Sequence, residues 1–301
     1  MTGVASSQIR KSASAQVRGG LETSLPIALE ALARELAEAR EAGELGFYAR
    51  VMAQVTLPHS KPADNEYVRH NGDLTLSMWA PAEVGLPYAS VPRLLLAWLT
   101  TEAVRTKERR LVLGNTLAAF MRQLDLVPTG GRWGTIPRLR SQMERLFASS
   151  MVCTYRTDEV SASAKLDVAV ESELWWNPRR PDEPVLWNSS VLLGERFFDE
   201  VIRRPVPIDM AALRTLRRSP LALDLYVWLT HRFSYLREGT TVPWEALQLQ
   251  FGSDYNLIKN FRAKVRRALG DVIRVYPEAG VTLETTGLRL RPSPTHVRRL
   301  K

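Results

Sequence analysis

Asp254-Tyr255-Asn256-Leu257-Ile258-Lys259-Asn260-Phe261-Arg262-Ala263-Lys264-Val265-Arg266-Arg267-Ala268-Leu269-Gly270 is the stretch on which the reading of this chain turns. Ile258, Phe261, Val265, Leu269 and Val272 recur at spacings of 3, 4, 4 and 3, the period of a helix with one buried face. The remaining face carries Lys259, Arg262 and Arg266 at spacings of 3 and 4, with Lys264 and Arg267 on a neighbouring stripe. Asn256 and Asn260 add amides toward the N-terminal half. No acidic residue lies between Tyr255 and Gly270, so no ion pair within the helix neutralises its cations. A helix that reads a DNA groove sets its first residues at base edges and its flanking cations on phosphates. Asn256, Lys259, Asn260 and Arg262 are therefore assigned to the groove, and Lys264, Arg266 and Arg267 to the phosphates. The competing reading is a cationic face that is simply solvated.

Working outward, the surrounding pattern is helix, short strand, helix, turn, helix, hairpin. Ser219-Pro220 caps and opens a helix with Leu221, Leu225, Trp228, Leu229 and Phe233 on its apolar side. Thr240 to Val242 is a strand fragment, Pro243 starts a helix with Trp244, Leu247 and Phe251, and Gly252 stops it. Arg274 to Tyr276, Thr282 to Thr285 and Leu288 to Arg291 read as strands, and Arg289 and Arg291 extend the basic surface onto that wing. The same order occurs earlier. Pro92 opens a helix to about Thr106, Arg109 to Leu113 is a strand, and Asn115 or Thr116 caps a helix with Leu117, Phe120, Met121 and Leu124. A Gly-rich turn, Pro128 to Thr135, leads into a helix with Ile136, Leu139, Met143 and Leu146. Met151 to Tyr155 with Lys165 to Trp175 reads as a hairpin, and Val185 to Leu193 as a further strand. Upstream, Val51 to Leu57 and Leu74 to Trp79 alternate as strands do. The fold class is α+β: two tandem winged-helix domains, at 46–204 and 205–301, joined near Arg203-Arg204-Pro205-Val206-Pro207. Residues 1–45 read as a disordered, Ser/Ala/Gly-rich leader and one amphipathic helix, with a transit peptide as the weaker reading. The stripe Leu25, Leu29, Leu32 and Leu36 docks on the chain's own core or forms a short dimerisation seam.

The charge supports a polyanionic partner for the second unit. The chain has 301 residues and a formal net charge of +9, from 41 Lys and Arg against 32 Asp and Glu. Sixteen of the cations and only eight of the carboxylates lie from Asp209 onward, a net of +8. A basic excess gathered at one end is an electrostatic footprint for nucleic acid. The first-domain counterpart of the basic helix carries Arg138, Arg140 and Arg145, with Arg132 just before it, against Glu144 alone. DNA binding and a contact with another subunit or domain fit these four about equally.

Other classes lack their minimum residues. There is no G-x-x-x-x-G-K-[ST] and no G-x-S-x-G. His59, His70, His231 and His296 are scattered, so no metal site of standard spacing is expected, nor the clustered His pair of a nicking nuclease. The single cysteine, Cys153, forms no internal disulfide and reads as a small apolar strand residue, which fits a reducing, cytoplasmic setting. No membrane span and no secretory signal are expected. Trp133, Trp175, Trp176, Trp187, Trp228 and Trp244 fall mostly at positions that fit cores, not on an RNA-reading strand. No enzymatic activity and no cofactor are expected.

Longer strings point to a family. Phe47-Tyr48-Ala49-Arg50, Val55-Thr56-Leu57-Pro58-His59, Pro87-Tyr88 and Val91 to Glu102 resemble the plasmid-encoded RepA replication initiators. So do Gly130-Gly131-Arg132-Trp133-Gly134-Thr135-Ile136, Ser219 to Thr230 and Gln250-Phe251-Gly252-Ser253. The resemblance runs from about Gly46 to the C-terminus. It implies an initiator that binds repeated double-stranded origin DNA (iterons), helps open the duplex and recruits host replication proteins, including the replicative helicase. Many related initiators have two winged-helix domains, and several switch between a dimeric repressor and a monomeric initiator, so a homodimer enters as an expectation. The resemblance does not assign the side chains that touch bases. The alternative is a transcriptional regulator on the same scaffold that binds operator DNA and leaves the duplex closed. A rival of another class is an adaptor whose basic end meets an acidic protein.

Overall fold

The structure is a computed structural model that describes residues 45–186, 188–252 and 257–297. The amphipathic leader, Trp187, Asn256 and the caps expected at Ser253 or Asp254 lie outside the described residues. Among those described, nine helices and twelve strands form a mixed α+β fold.

Leu45–Tyr48 (β1) enters a helix at Arg50–Gln54 (α1). The strand expected from Val51 to Leu57 is therefore a helical turn and a half followed by extended chain. Val51, Met52, Ala53, Val55 and Leu57 are all buried, and a segment surrounded by core on every side loses the periodicity that tells helix from strand. Glu66–Asn71 (β2) and Leu74–Trp79 (β3) form a hairpin. Ser90–Thr106 (α2) is followed by Arg110–Gly114 (β4) and by Leu117–Gln123 (α3), whose Thr116 cap accepts a hydrogen bond from the Ala119 amide at 3.2 Å. Thr135–Ala148 (α4) then leads to Ser150–Arg156 (β5) and Ser161–Lys165 (β6).

Here the expected hairpin is redrawn. β5 pairs with β6 and with β3, completing a four-stranded sheet in the order β2-β3-β5-β6. The second half of the expected partner, Ala169–Glu173 (β7), belongs to a different sheet. It pairs with Ser189–Leu193 (β8), which pairs with β4, giving the order β4-β8-β7.

Glu195–Arg203 (α5) precedes Val206–Asp209 (β9), which pairs antiparallel with β1, so Leu45 faces Asp209. Met210–Leu216 (α6) leads to Pro220–Phe233 (α7), capped by Ser219 Oγ on the Ala222 amide at 3.2 Å. Thr240–Pro243 (β10), Trp244–Phe251 (α8) and Ile258–Val275 (α9) follow. The helix α9 runs through Arg274 and Val275, where a strand was expected, because Leu269 and Val272 carry its buried stripe onward. Val281–Leu283 (β11) and Gly287–Leu290 (β12) form a hairpin, and β12 also pairs with β10, giving the order β10-β12-β11.

The two runs α2-β4-α3-α4-β7-β8 and α7-β10-α8-α9-β11-β12 thus share element order and sheet order. In each, the first strand pairs with the last, and the last with the middle one. In the first run the β5-β6 hairpin is inserted before the sheet is completed. One contiguous apolar core runs through both, from Tyr48 and Leu95 to Phe261 and Leu290. After β12 the chain folds back. His296 Nδ1 lies 2.9 Å from the Tyr226 hydroxyl, and its ring stacks on Tyr276 at 4.8 Å.

Of the tryptophans, Trp176, Trp228 and Trp244 are buried as expected, but Trp175 is 53% and Trp133 81% exposed. Cys153 is buried in β5, and burial pushes its thiol up to about 12, far from thiolate chemistry at neutral pH.

Candidate nucleic-acid interface

The helix α9 presents its cations on three sides. Phe261, Val265, Ala268, Leu269 and Val272 are buried, which fixes the rotation of everything else. Lys259 and Arg266 are exposed on the outward side, with Ala263 between them and Gly270 beyond. Asn260 is exposed one step around. Arg262 turns the other way: its guanidinium lies over the Trp244 ring of α8 at 5.3 Å from the centroid, and it is partly buried. That stack restrains Arg262 through a cation–π contact.

Lys264 and Arg267 lie on the flank toward α7. With Arg218, Ser219 and His59 they line a cleft of about 450 Å³ at the N-terminus of α7. Three cations and the positive end of a 14-residue helix converge there. Asp271, also at the cleft, is engaged by Arg274 at 3.1 Å. Arg218 was not singled out from the sequence. Its signal was its place just before the Ser219 cap, where a side chain sits beside free helix amides.

On the hairpin, Arg291 is exposed, whereas Arg289 reaches across the sheet, its Nη1 donating to Thr241 Oγ1 at 3.3 Å. The described residues end at Val297, short of the three basic residues that close the chain.

The Arg residues of the first run divide differently. Arg145 of α4 donates from Nη1 to the Leu86 carbonyl at 3.2 Å and from Nε to Ser141 Oγ at 3.2 Å, and it stacks on Tyr88 at 5.6 Å. It holds the 85–88 loop to its own helix. Arg138 is exposed and donates weakly to the Trp133 carbonyl at 3.4 Å. Arg140 is partly buried. Arg132 is exposed, with its guanidinium 5.2 Å from the Trp133 ring centroid. Arg132 and Arg138 thus gather at Trp133, while Arg145 faces inward.

A second cluster lies under the cleft, and sequence reading missed it. Arg93, near the start of α2, is 1% exposed and forks onto Asp224, near the start of α7: Nε donates to Oδ1 at 2.7 Å and Nη2 to Oδ2 at 2.6 Å. The same guanidinium donates to the carbonyls of Leu57 at 2.7 Å, Pro58 at 3.2 Å and Ala89 at 2.7 Å. His59 Nε2 lies 2.7 Å from Asp224 Oδ2. Burial works against the Asp224 carboxylate, but Arg93 and His59 outweigh it and hold its pKa below the ordinary range. Burial lowers the His59 pKa, against the pull of Asp224. A neutral His59 must then donate from Nε2, because the carboxylate only accepts; its Nδ1 is buried without a hydrogen-bond partner. Nearby, Thr56 Oγ1 donates to the Gln250 carbonyl at 3.1 Å and Gln250 Nε2 to the Gln54 carbonyl at 2.7 Å. The Arg93–Asp224 fork ties equivalent helices of the two runs together. The available signal was a charge inside each apolar string, Arg93 within Val91 to Leu99 and Asp224 within Leu221 to Leu229, since a buried charge requires a partner.

Among the described residues no group of His, Cys, Asp and Glu could hold a metal ion, and no helix is long and apolar enough to cross a membrane.

A mixed α+β chain with a doubled helix–sheet order and a cationic helix in its second run belongs to a restricted class, and the comparisons narrow it. The family model for plasmid-encoded RepA protein matches residues 86–246, more than half of the chain. The chain belongs to the plasmid-encoded RepA family. Among solved structures, a selenomethionine crystal structure of domains 2 and 3 of RctB superposes with a TM-score of 0.52 at 11% identity, covering 81% of this chain and 98% of that one. A second crystal structure of RctB domains 2 and 3 gives a TM-score of 0.48 at 11% identity, over 80% of this chain and 94% of that one. At such identity the likeness is one of fold alone. No curated protein matches the sequence. The matched span holds Arg93, Asp224, Trp133 and the whole of α4 and α7, but stops before α9.

Proposed function

We propose that this chain is a plasmid replication initiator that binds repeated double-stranded origin DNA through two winged-helix units, 46–204 and 205–301, and is not itself an enzyme. Family membership supports the initiator role. The observation that carries the DNA-binding part is the doubled order, helix, strand, helix, helix, hairpin, with β10-β12-β11 repeating β4-β8-β7 and with an acid-free cationic face exposed on α9. In that reading α9 enters a major groove. Lys259 and Asn260 face base edges, and Arg266 and Arg291 reach phosphates. Lys264, Arg267 and Arg218 clamp a further phosphate at the N-terminus of α7. Arg262 is braced by Trp244 beside the groove. Bound origin DNA, a homodimer at some stage, host replication proteins including the replicative helicase, and a cytoplasmic location complete the reading.

Titration against an iteron-bearing duplex at about 150 mM salt tests it. Binding about 10³-fold or more tighter than to random DNA is expected, and equal affinity for both overturns it. Permanganate footprinting separates the initiator from a regulator on the same scaffold, because only the initiator exposes thymines in the AT-rich part of the origin. Incubation of supercoiled plasmid with Mg²⁺ is expected to leave it unnicked.

A further inference from the structure

We propose that Trp133 is a stacking platform for an unpaired base of single-stranded DNA, a site separate from the duplex-reading face of α9. Trp133 lies in the turn between α3 and α4. An indole is the side chain with most apolar area to gain by burial, yet this one is 81% exposed, and Val127 on the same turn is 73% exposed. The turn around them is closed by its own bonds. The Thr129 and Thr135 amides each donate to the other residue's hydroxyl at 2.9 Å. The Ile136 amide donates to the Thr129 carbonyl at 3.2 Å and the Gly134 amide to the Gly131 carbonyl at 3.0 Å. Gly131 sits at φ +78°, and a Cβ on Gly134 would come within 2.2 Å of the Thr129 carbonyl oxygen, so this tight path needs both glycines. The indole is therefore held out on a closed loop.

The chemistry around it selects the ligand. From Leu126 through the turn and along α4, the cations Arg132, Arg138 and Arg140 meet no acidic residue before Glu144. The Arg132 guanidinium covers one region of the ring at 5.2 Å, and Arg138 reaches the Trp133 carbonyl. Arginine beside an exposed aromatic is the arrangement that binds single strands: the ring takes a base face and the cations take the adjoining phosphates. Bases stacked inside a duplex offer no free face, so the partner is a strand already opened. An acidic protein segment is the alternative the experiment must reject. The site rests on the initiator reading only for its place in origin opening; its binding chemistry does not depend on α9.

The test uses the full chain and fluorescence anisotropy with a labelled single strand of about 20 nucleotides, longer than the roughly 4–16 that one such groove covers. Trp133→Ala is expected to weaken single-strand binding between about fivefold and 150-fold, the equivalent of one lost base stack. Trp133→Phe keeps a stacking ring and is expected to retain most of the affinity. Duplex binding should be the same in both variants and in the parent. Unchanged single-strand affinity in Trp133→Ala overturns the proposal. So does an equal loss on single strand and duplex, or a loss confined to binding of a replication protein. Lys259→Ala with Arg266→Ala separates the two readings, since it should weaken duplex binding and spare the single strand. A parent chain that fails to bind iteron duplex but still shows the Trp133 dependence defeats the proposed function and leaves this site standing.

Discussion

The helices α4 and α9 occupy the same slot in two copies of one element order, yet they spend their cations differently. On α9, Lys259 and Arg266 face solvent and no acidic side chain opposes them before Asp271. On α4, Arg145 is turned back onto Leu86 and Tyr88, and Arg138 leans on the Trp133 carbonyl. A cation already donating to a backbone carbonyl has part of its hydrogen-bonding capacity committed, and using it on a phosphate would cost that bond. The same position in a fold therefore does not confer the same role. In the second copy the helix face itself is free, and in the first the exposed chemistry has moved to the turn before the helix.

One body carries both helices, and the Arg93–Asp224 pair joins the starts of α2 and α7 across it, so breaking the pair gives the largest expected effect. Asp224→Ala leaves Arg93 buried with only carbonyl partners, and removing one partner of a buried pair typically costs about 3–5 kcal/mol. Urea unfolding of the full chain should show this loss. A cost below about 1 kcal/mol would mean that the shared apolar core and the β1–β9 pairing hold the two runs together unaided, and the halves could be compared without regard to the pair.

The next largest effect sets α9 directly against α4. Replacing Lys259 and Arg266 with Ala is expected to weaken iteron binding by about 1–3 kcal/mol for each of the two that reads a base edge. For each that neutralises a phosphate, the salt dependence should flatten by about one unit. Arg138→Ala with Arg140→Ala should cost the duplex less. If the α4 pair costs as much as the α9 pair, both helices grip the duplex and the contrast between them fails.

How much of this was legible in the sequence depends on what surrounds each residue. The caps at Thr116 and Ser219 and the stop at Gly252 are set by local chemistry, and they were readable. So were α2, α4 and α7, whose apolar spacings are long enough to fix a period. The Val51 to Leu57 segment was misread because its burial on all sides erases that period. The hairpin expected in the first run was misassigned because pairing is non-local: nothing between Met151 and Trp175 tells which stretch joins β3 and which joins β8. The cationic stripe of α9 was legible from Lys259 to Arg267. The turn of Arg262 onto Trp244 and the gathering of Lys264 and Arg267 with Arg218 were not, because they depend on α7 and α8 packing against that helix.

A smaller effect comes from pH. Lowered pKa values for both His59 and Asp224 mean that the unfolded chain binds protons more readily than the folded one, so folding stability falls as pH falls. The His59 contribution is present above its ordinary value of 6.5 and is lost as pH drops below it toward the depressed folded value. The Asp224 contribution is lost only in strong acid, below 3.8. Melting temperature should decline from about pH 6.5 downward, and His59→Phe should flatten that decline without removing the steep loss below about pH 4. An unchanged profile in His59→Phe would show that the proton is taken up elsewhere.

The smallest effect sharpens the same contrast from the surface. Arg217, at the end of α6 just before the second run, and Asp125, just after α3 in the first, also form an ion pair, at 2.8 Å, but each side chain is about 40% exposed. Water screens such a pair, and holding two flexible side chains together offsets most of its attraction, so exposed pairs are worth about 0–1 kcal/mol. Asp125 also sits at φ +54°, a left-handed conformation that Asn tolerates as well as Asp does. Asp125→Asn therefore removes the charge without straining the backbone, and the expected change in unfolding free energy is within about 0.5 kcal/mol. A loss above about 1 kcal/mol, fading at high salt, would show that the surface pair holds the two runs in register alongside Arg93 and Asp224.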